Sequence, residues 1–339
     1  MNEELRKRVL KNQKDYISRT KYKNEYSESI EANSKVIEKI RRSTNVDLLQ
    51  SVIHFLRWKK FHIVKHVPYV KTNDIKNDEL AIAIMIKNEG IYIKEWLDFY
   101  ITMGVDRFYI FDNGSTDNTF EILKPYIESK IVILTHYPGK AVQINSYNDA
   151  IRCCKRNNTK WLALLDADEF LYPVEKGNLK DALKEYENEV GIGVNWVVYG
   201  PCGHEKRPEG YVTKAYTQTF ADRNNELNLR FKSIVKPKEV KMMVSPHYAL
   251  FRKKKLMVDE NHVIISGGDF VVKNQYACTY KHNSSKFAIN HYWTKSLEEL
   301  KAKCNRGYAD GAVNANYERT LERLKGEKME DTRILRLVK

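Results

Sequence analysis

Asp166, Asp168 and Glu169 follow an apolar run in LALLDADEFLYP, residues 162–173, and lead straight back into apolar residues. Asp166 and Asp168 are two positions apart, so in extended backbone their side chains leave the same face, and a slight turn lets the carboxylates converge. Converging carboxylates repel, and each raises the proton affinity of the other unless a cation neutralises them. Oxygen donors with no Cys or His cluster beside them suit Mg2+ or Mn2+, which keep open positions for phosphate oxygens. A cation bridging a diphosphate is the chemistry this pair offers. A plain acidic turn is the other reading of so short a motif.

A second polar group, DNGSTDNT at 112–119, has a related form. Asp112 ends an apolar run, Asn113-Gly114 makes a tight turn, and Ser115 or Thr116 caps the helix that follows, with Asp117 in its first turn. A carboxylate at such a strand end can accept hydrogen bonds from a nucleobase N–H or from ribose hydroxyls. Asn88 and Glu89, in KNEG, are placed to line the same nucleoside pocket or to begin the next helix.

The elements that must position these groups are legible as apolar runs. Residues 80–86, 107–111, 131–134 and 160–165 suit strands buried on both faces. Helical spacing runs through Tyr92, Trp96, Leu97 and Tyr100, and again through Phe120, Leu123 and Ile127. Strand and helix in alternation imply right-handed crossovers and an α/β fold with a mainly parallel central sheet. Ligands bind outside the carboxyl ends of such strands, so KNEG, DNGSTDNT and DADE are expected to meet at one site.

The rest of the chain is less specific. Residues 1–75 read as an N-terminal helical extension, 76–315 as the α/β domain, and 316–339 as a basic C-terminal helix or tail. Within the extension, Leu49, Val52, Ile53, Leu56 and Phe61 alternate with Arg57, Lys59, Lys60 and Lys65, a basic amphipathic helix that either lies on an anionic membrane or packs on its own domain.

With 42% hydrophobic and 30% charged residues the chain is a packed globular protein, not a disordered one. A net charge of +14 attracts polyanions: nucleic acid, anionic headgroups or phosphate-bearing substrates. Five cysteines without paired spacing fit a reducing compartment. Neither a secretory leader nor a membrane-spanning window is evident, so a cytoplasmic protein, peripheral on the inner face of the membrane, is expected.

Three other function classes compete. A basic nucleic-acid-binding module agrees with the charge, but zinc-knuckle, RRM and helix-turn-helix patterns are lacking, and nucleic acid is not an expected partner. A nucleotidyltransferase acting on sugar phosphates wants a Gly- and basic-rich phosphate loop where Asn88-Glu89-Gly90 stands. A glycosidase draws its two acids from separate elements.

Several separated stretches together carry a family resemblance. IMIKNEGIYIKEWLDFYITMGVDRFYIFDNGSTDNT, WLALLDADEFLYP, VNWVVYGPCGHEKRPEGY, KSIVKPKEV with SPHYAL, and INHYWTKSLEELKAKCNRG occur in order over roughly residues 80–310. The chain resembles the GT-A glycosyltransferases of the family 2-like and family 92-like group. That resemblance implies a Rossmann-like nucleotide-binding sheet and transfer of a sugar from a nucleoside diphosphate donor, a UDP-sugar first of all. The acceptor would be a hydroxyl of a glycan or lipid-linked glycan, in surface polysaccharide or glycan synthesis.

By the same resemblance Asp112 contacts the nucleoside, Asp166 and Asp168 hold Mn2+ or Mg2+, and His247 in SPHYAL is a third metal ligand, with His291 as its competitor. Lys140, Lys295 and Arg306 are candidates to meet the donor, the last two at its diphosphate. An inverting reaction needs a general base on the far face of the sugar. Glu205 and His204, in GPCGHEKRPEG, and Asp222 are the candidates, and Trp196, Tyr199, Tyr292 and Trp293 are candidates to stack on sugar rings.

Overall fold

Every residue of LAIAIMI is buried in β1 (Leu80–Ile86), which demands cover on both faces of its sheet. The computed structural model describes residues 77–139, 142–175, 177–243, 245–263, 265, 278–279, 281–306 and 316–338. On one face, Ile82 and Ile84 share a core with Trp96, Leu97 and Tyr100 of α1 (Ile93–Thr102) and Leu123 of α2 (Thr119–Glu128). On the other, Ala81, Ala83 and Met85 meet Tyr147, Ala150, Ile151 and Cys154 of α3 (Gln143–Arg156). The i, i+3, i+4, i+7 spacing of those four residues, and of Ile93, Trp96, Leu97 and Tyr100, gives each helix one apolar stripe to lay on the sheet. In α2 the pattern misleads at one position: Phe120, in the first turn, is 56% exposed, and Leu123 makes the core contact.

β2 (Arg107–Asp112), β3 (Val132–His136) and β4 (Trp161–Leu164) join β1 in parallel, in the order β3-β2-β1-β4. This is the half of the sheet that the apolar runs predict. Beyond β4 come strands that the sequence does not announce. In chain order they are β5 (Glu169–Pro173), β6 (Gly191–Val198), β7 (Gln218–Phe220), β8 (Phe231–Val235), β9 (Val240–Met243), β10 (Ala249–Phe251), β11 (Phe287–His291) and β12 (Lys328–Glu330). Four of them extend the main sheet to β3-β2-β1-β4-β8-β6-β11-β5. Here β8 runs antiparallel to β4 and β6, and β5 antiparallel to β11.

Consecutive strands β4 and β5 thus stand fourth and eighth in the sheet. In a flat sheet, four inter-strand steps would hold them roughly 19 Å apart. Yet residues 165–168 close into a tight turn, with the Glu169 N–H donating to the Asp166 carbonyl at 3.1 Å. The sheet must therefore curl until its fourth and eighth strands abut, and the acid turn is where they meet. Helix α1 clamps the seam: Trp96 Nε1 and Tyr100 Oη both donate to the Glu169 carbonyl, at 2.9 and 3.0 Å.

The helices α4 (Leu179–Leu183), α5 (Val212–Ala215), α6 (Leu297–Arg306) and α7 (Tyr317–Arg323) surround this frame. The C-terminal stretch is part of it: β12 pairs with β7, and Leu324 and Ile334 are buried in the same core as β1. Among the described residues no helix is long and apolar enough to cross a membrane. The basic segment at 46–65 lies outside the described residues.

Candidate active site at the carboxyl edge

The acid turn is held by partners from distant parts of the chain. Asp166 Oδ2 accepts from Lys232 Nζ at 2.7 Å, and Oδ1 from Gln143 Nε2 at 2.7 Å. Asp168 Oδ2 accepts from Lys303 Nζ at 2.9 Å, and Oδ1 lies 3.4 Å from His291 Nε2. Glu169 turns inward and is fully buried. Its Oε2 accepts the Asp166 N–H at 2.9 Å, while its Oε1 has no partner.

These environments split the three acids. Burial by itself would raise the pKa of Asp168, but Lys303 and His291 hold it well below the usual carboxylate range. Asp166 is likewise lowered, burial being outweighed by Lys232. Glu169 is raised, by burial first and by the two neighbouring aspartates as well, against the pull of Lys232. Lys232 itself is wholly enclosed, and the attraction of Asp166 and Glu169 overcomes burial to keep it charged.

Two strands away, Asp112 closes β2. It accepts from the Ser115 N–H at 3.0 Å and from Ser115 Oγ at 2.5 Å, and His136 Nδ1 stands 3.5 Å from its Oδ2. Since β2 and β4 flank β1, Asp112 and the acid turn are separated by roughly 10 Å along one sheet edge. Asn88 stitches the loops between them, its N–H donating to Ser115 Oγ and its Oδ1 accepting from the Thr116 N–H. Gly90 has no room for a Cβ, which would sit 2.2 Å from Asn118 Oδ1 and 3.1 Å from the Thr119 nitrogen. Glu89 caps α1 through its carbonyl and lies 3.9 Å from Lys295 Nζ, which stacks 3.6 Å from the centroid of Tyr92.

His247 and His291 both pack on Trp196, with ring centroids 5.2 and 4.3 Å from it. His247 Nδ1 is bonded to the Phe231 carbonyl at 2.9 Å. Burial and nearby Lys232 push its pKa down to about 3, so the ring is neutral and Nε2 keeps its lone pair. His291 is also lowered, by burial against the pull of Asp168, and its Nδ1 has no partner.

The remaining sequence-derived residues separate into near and far. The loop of His204 and Glu205 is tied to the first turn of α6, whose Leu297 and Glu298 N–H groups donate to the His204 and Glu205 carbonyls. Glu205 is exposed, whereas His204 Nε2 engages the Ala215 carbonyl at 3.2 Å. Asp222 forms a surface turn after β7, accepting from the Asn224 N–H. Tyr199 and Tyr292 are core residues, 5.0 Å apart and 1% exposed, and so are not sugar platforms. Arg306 is the last residue of α6, and Lys140 lies outside the described residues.

Sequence reasoning missed Lys232, Lys303 and Gln143. Only Lys232 leaves a signal, as a lysine inside the otherwise buried strand FKSIV.

Residues 81–323 match the family model for glycosyltransferase family 92. The chain belongs to glycosyltransferase family 92. A family 92 protein of Ricinus communis is 33% identical over 168 residues, covering 48% of this chain and 29% of that protein. One of Oryza sativa subsp. japonica is 29% identical over 167 residues, covering 48% and 27%. The match thus spans less than a third of either relative. Among solved structures, similarity extends to S. aureus TarS residues 1–349 in complex with UDP, at 16% identity, 47% of each chain and a TM-score of 0.33. It extends also to the mannosyltransferase PcManGT of Pyrobaculum calidifontis in complex with GDP-Man and Mn2+, at 17% identity, 49% and 47% coverage and a TM-score of 0.30.

Whether this family 92 site suits a divalent cation is decided by its donors. Two ionised carboxylates and a neutral imidazole whose other nitrogen is fixed by a carbonyl are the right set for Mn2+ or Mg2+. As they stand, no three acids, histidines or cysteines among the described residues are grouped closely enough to hold one. Lysines occupy the carboxylates instead. The donor chemistry fits, provided that Asp168 gives up Lys303.

Proposed function

We propose that this chain transfers a glycosyl group from a nucleoside diphosphate sugar to an acceptor hydroxyl at the carboxyl edge of β1, β2 and β4, with inversion at the sugar. The observation that carries this reading is the pair of ionised carboxylates at the end of β4, on one sheet edge with Asp112. Family membership supports it. Asp112, Asn88 and Glu89 would receive the nucleoside, and Lys140, Lys295 and Arg306 the phosphates. Asp168, Asp166 and His247 would hold the cation. A bound Mn2+ or Mg2+ supplies electrostatic stabilisation of the departing diphosphate.

The chain's own residues perform the rest. Glu169 and α1 fix the turn, Lys232 keeps Asp166 ionised, and Glu205, exposed on the loop tied to α6, serves as the base for the acceptor hydroxyl. The acceptor proposed is a glycan, including a lipid-linked glycan at an anionic, cytoplasmic membrane face, to which the excess of positive charge draws the protein.

Screening nucleotide sugars, UDP-sugars first, for release of the nucleoside diphosphate in the presence of Mn2+ tests the proposal. Turnover should fall about a hundredfold or more in Asp168→Asn, with the folded circular-dichroism spectrum retained. Full activity in that variant would remove the acid turn from the mechanism.

A further inference from the structure

The two aspartates of the turn are matched by two lysines of contrasting mobility. Lys232 is enclosed in β8 with none of its side chain exposed, 2.7 Å from Asp166 and 3.7 Å from Glu169. It has nowhere to go. Lys303, on α6, keeps 21% of its side chain exposed and bonds Asp168 Oδ2 and the Trp293 carbonyl, each at 2.9 Å.

We infer that Lys303 is an exchangeable counter-ion, which neutralises Asp168 while the donor is absent and transfers to the donor's diphosphate when a divalent cation takes its place. This rests on the proposed function above. The charge count gives the reason. Each aspartate is paired with one lysine, Asp166 with Lys232 at 2.7 Å and Asp168 with Lys303 at 2.9 Å, so these four charges sum to zero. A divalent cation arriving alone must compete with Lys303 for the Asp168 carboxylate and leaves an excess of two positive charges. A diphosphate arriving with it absorbs that excess and gives the displaced ammonium a new partner. Cation and nucleotide must then strengthen each other's binding, and by linkage they do so by the same factor in both directions. Lys303 is therefore a positioning and gating residue, acting on when the site becomes cation-competent.

The test measures Mn2+ binding directly, by loss of the free-ion EPR signal, on the full chain with and without UDP or GDP. Without nucleotide, Lys303→Met should bind Mn2+ about tenfold more tightly than the wild type, because the competitor is gone. Added nucleoside diphosphate should strengthen Mn2+ binding in the wild type more than in the variant. Lys303→Arg, which keeps the charge, should behave as the wild type. Lys303→Gln, which keeps a donor for the Trp293 carbonyl, should follow Lys303→Met and covers the case in which methionine disturbs packing. Equal Mn2+ affinity in the wild type and the uncharged variants, with the nucleotide effect intact in both, overturns the exchange and leaves the proposed function standing. No Mn2+ binding in any protein with either nucleotide overturns both.

Discussion

The two acidic ends of the parallel strands solve the same problem in opposite ways. Asp112 is satisfied from within its own loop, by Ser115 three residues on. Asp166 and Asp168 are satisfied by Lys232 and Lys303, 66 and 135 residues away. The first arrangement uses neutral donors and the second full charges, although the acids are comparably sheltered, Asp112 at 17% exposure and Asp166 and Asp168 at 32% and 15%. An acid with neutral local partners is pre-shaped for hydrogen bonding. An acid paired with a remote cation is held ionised and ready to exchange one cation for another.

The contrast can be broken most severely at Lys232. Replacing it by Met leaves Glu169 and Asp166 without their cation, and the fold should lose about 3–5 kcal/mol in urea denaturation. A midpoint within error of the wild type would mean that the acids do not depend on it.

Glu205→Gln sharpens the assignment around the acid turn, with turnover expected to fall about a hundredfold at unchanged stability. Asp222→Asn, in a surface turn, should stay within about twofold on the same measure. If the two results were reversed, the base would lie on the β7 side.

His282 probes the wall behind the turn. It is buried, Nε2 bonds the Trp196 carbonyl at 3.1 Å, and burial with nearby Arg223 pushes its pKa down to about 4. The unfolded chain takes up that proton below about pH 6.5 while the fold does not. Stability is then complete above that pH and is lost as pH falls toward 4, by at most about 1.4 kcal/mol per pH unit for this group. Denaturation at a series of pH values should show a shallower decline in His282→Gln. An identical slope would place the proton uptake elsewhere.

The smallest effect belongs to the local end. Ser115→Ala removes the hydroxyl shared by Asp112 and the Asn88 N–H and should cost about 1 kcal/mol in the same denaturation measurement.

What the sequence discloses follows the same division. β1 is legible to the residue, and β2 to β4 to within two, because strands buried on both faces are continuous apolar runs. The Ser115 turn is legible because its chemistry is local. β8 and β11 are not, since FKSIV and FAINH carry buried polar residues whose partners lie across the sheet. Lys303 is invisible for a related reason: nothing in LEELKAKCNR distinguishes the lysine that folds inward from the one at 301, which stays exposed. Tyr199 and Tyr292 mislead because an aromatic beside a polar motif reads the same whether it faces a ligand or the core.

The curl of the sheet governs the order in which the protein becomes competent. Strands β8, β6 and β11, contributed by residues between 191 and 291, slot between β4 and β5, which are joined by four residues. Contacts of such long sequence separation form late, after the local strand–helix units. A nascent or truncated chain ending before residue 303 has its two aspartates side by side with at most one lysine between them. In such a chain Asp168 lacks the lysine that balances it, so the acid turn acquires its full set of partners only when α6 docks.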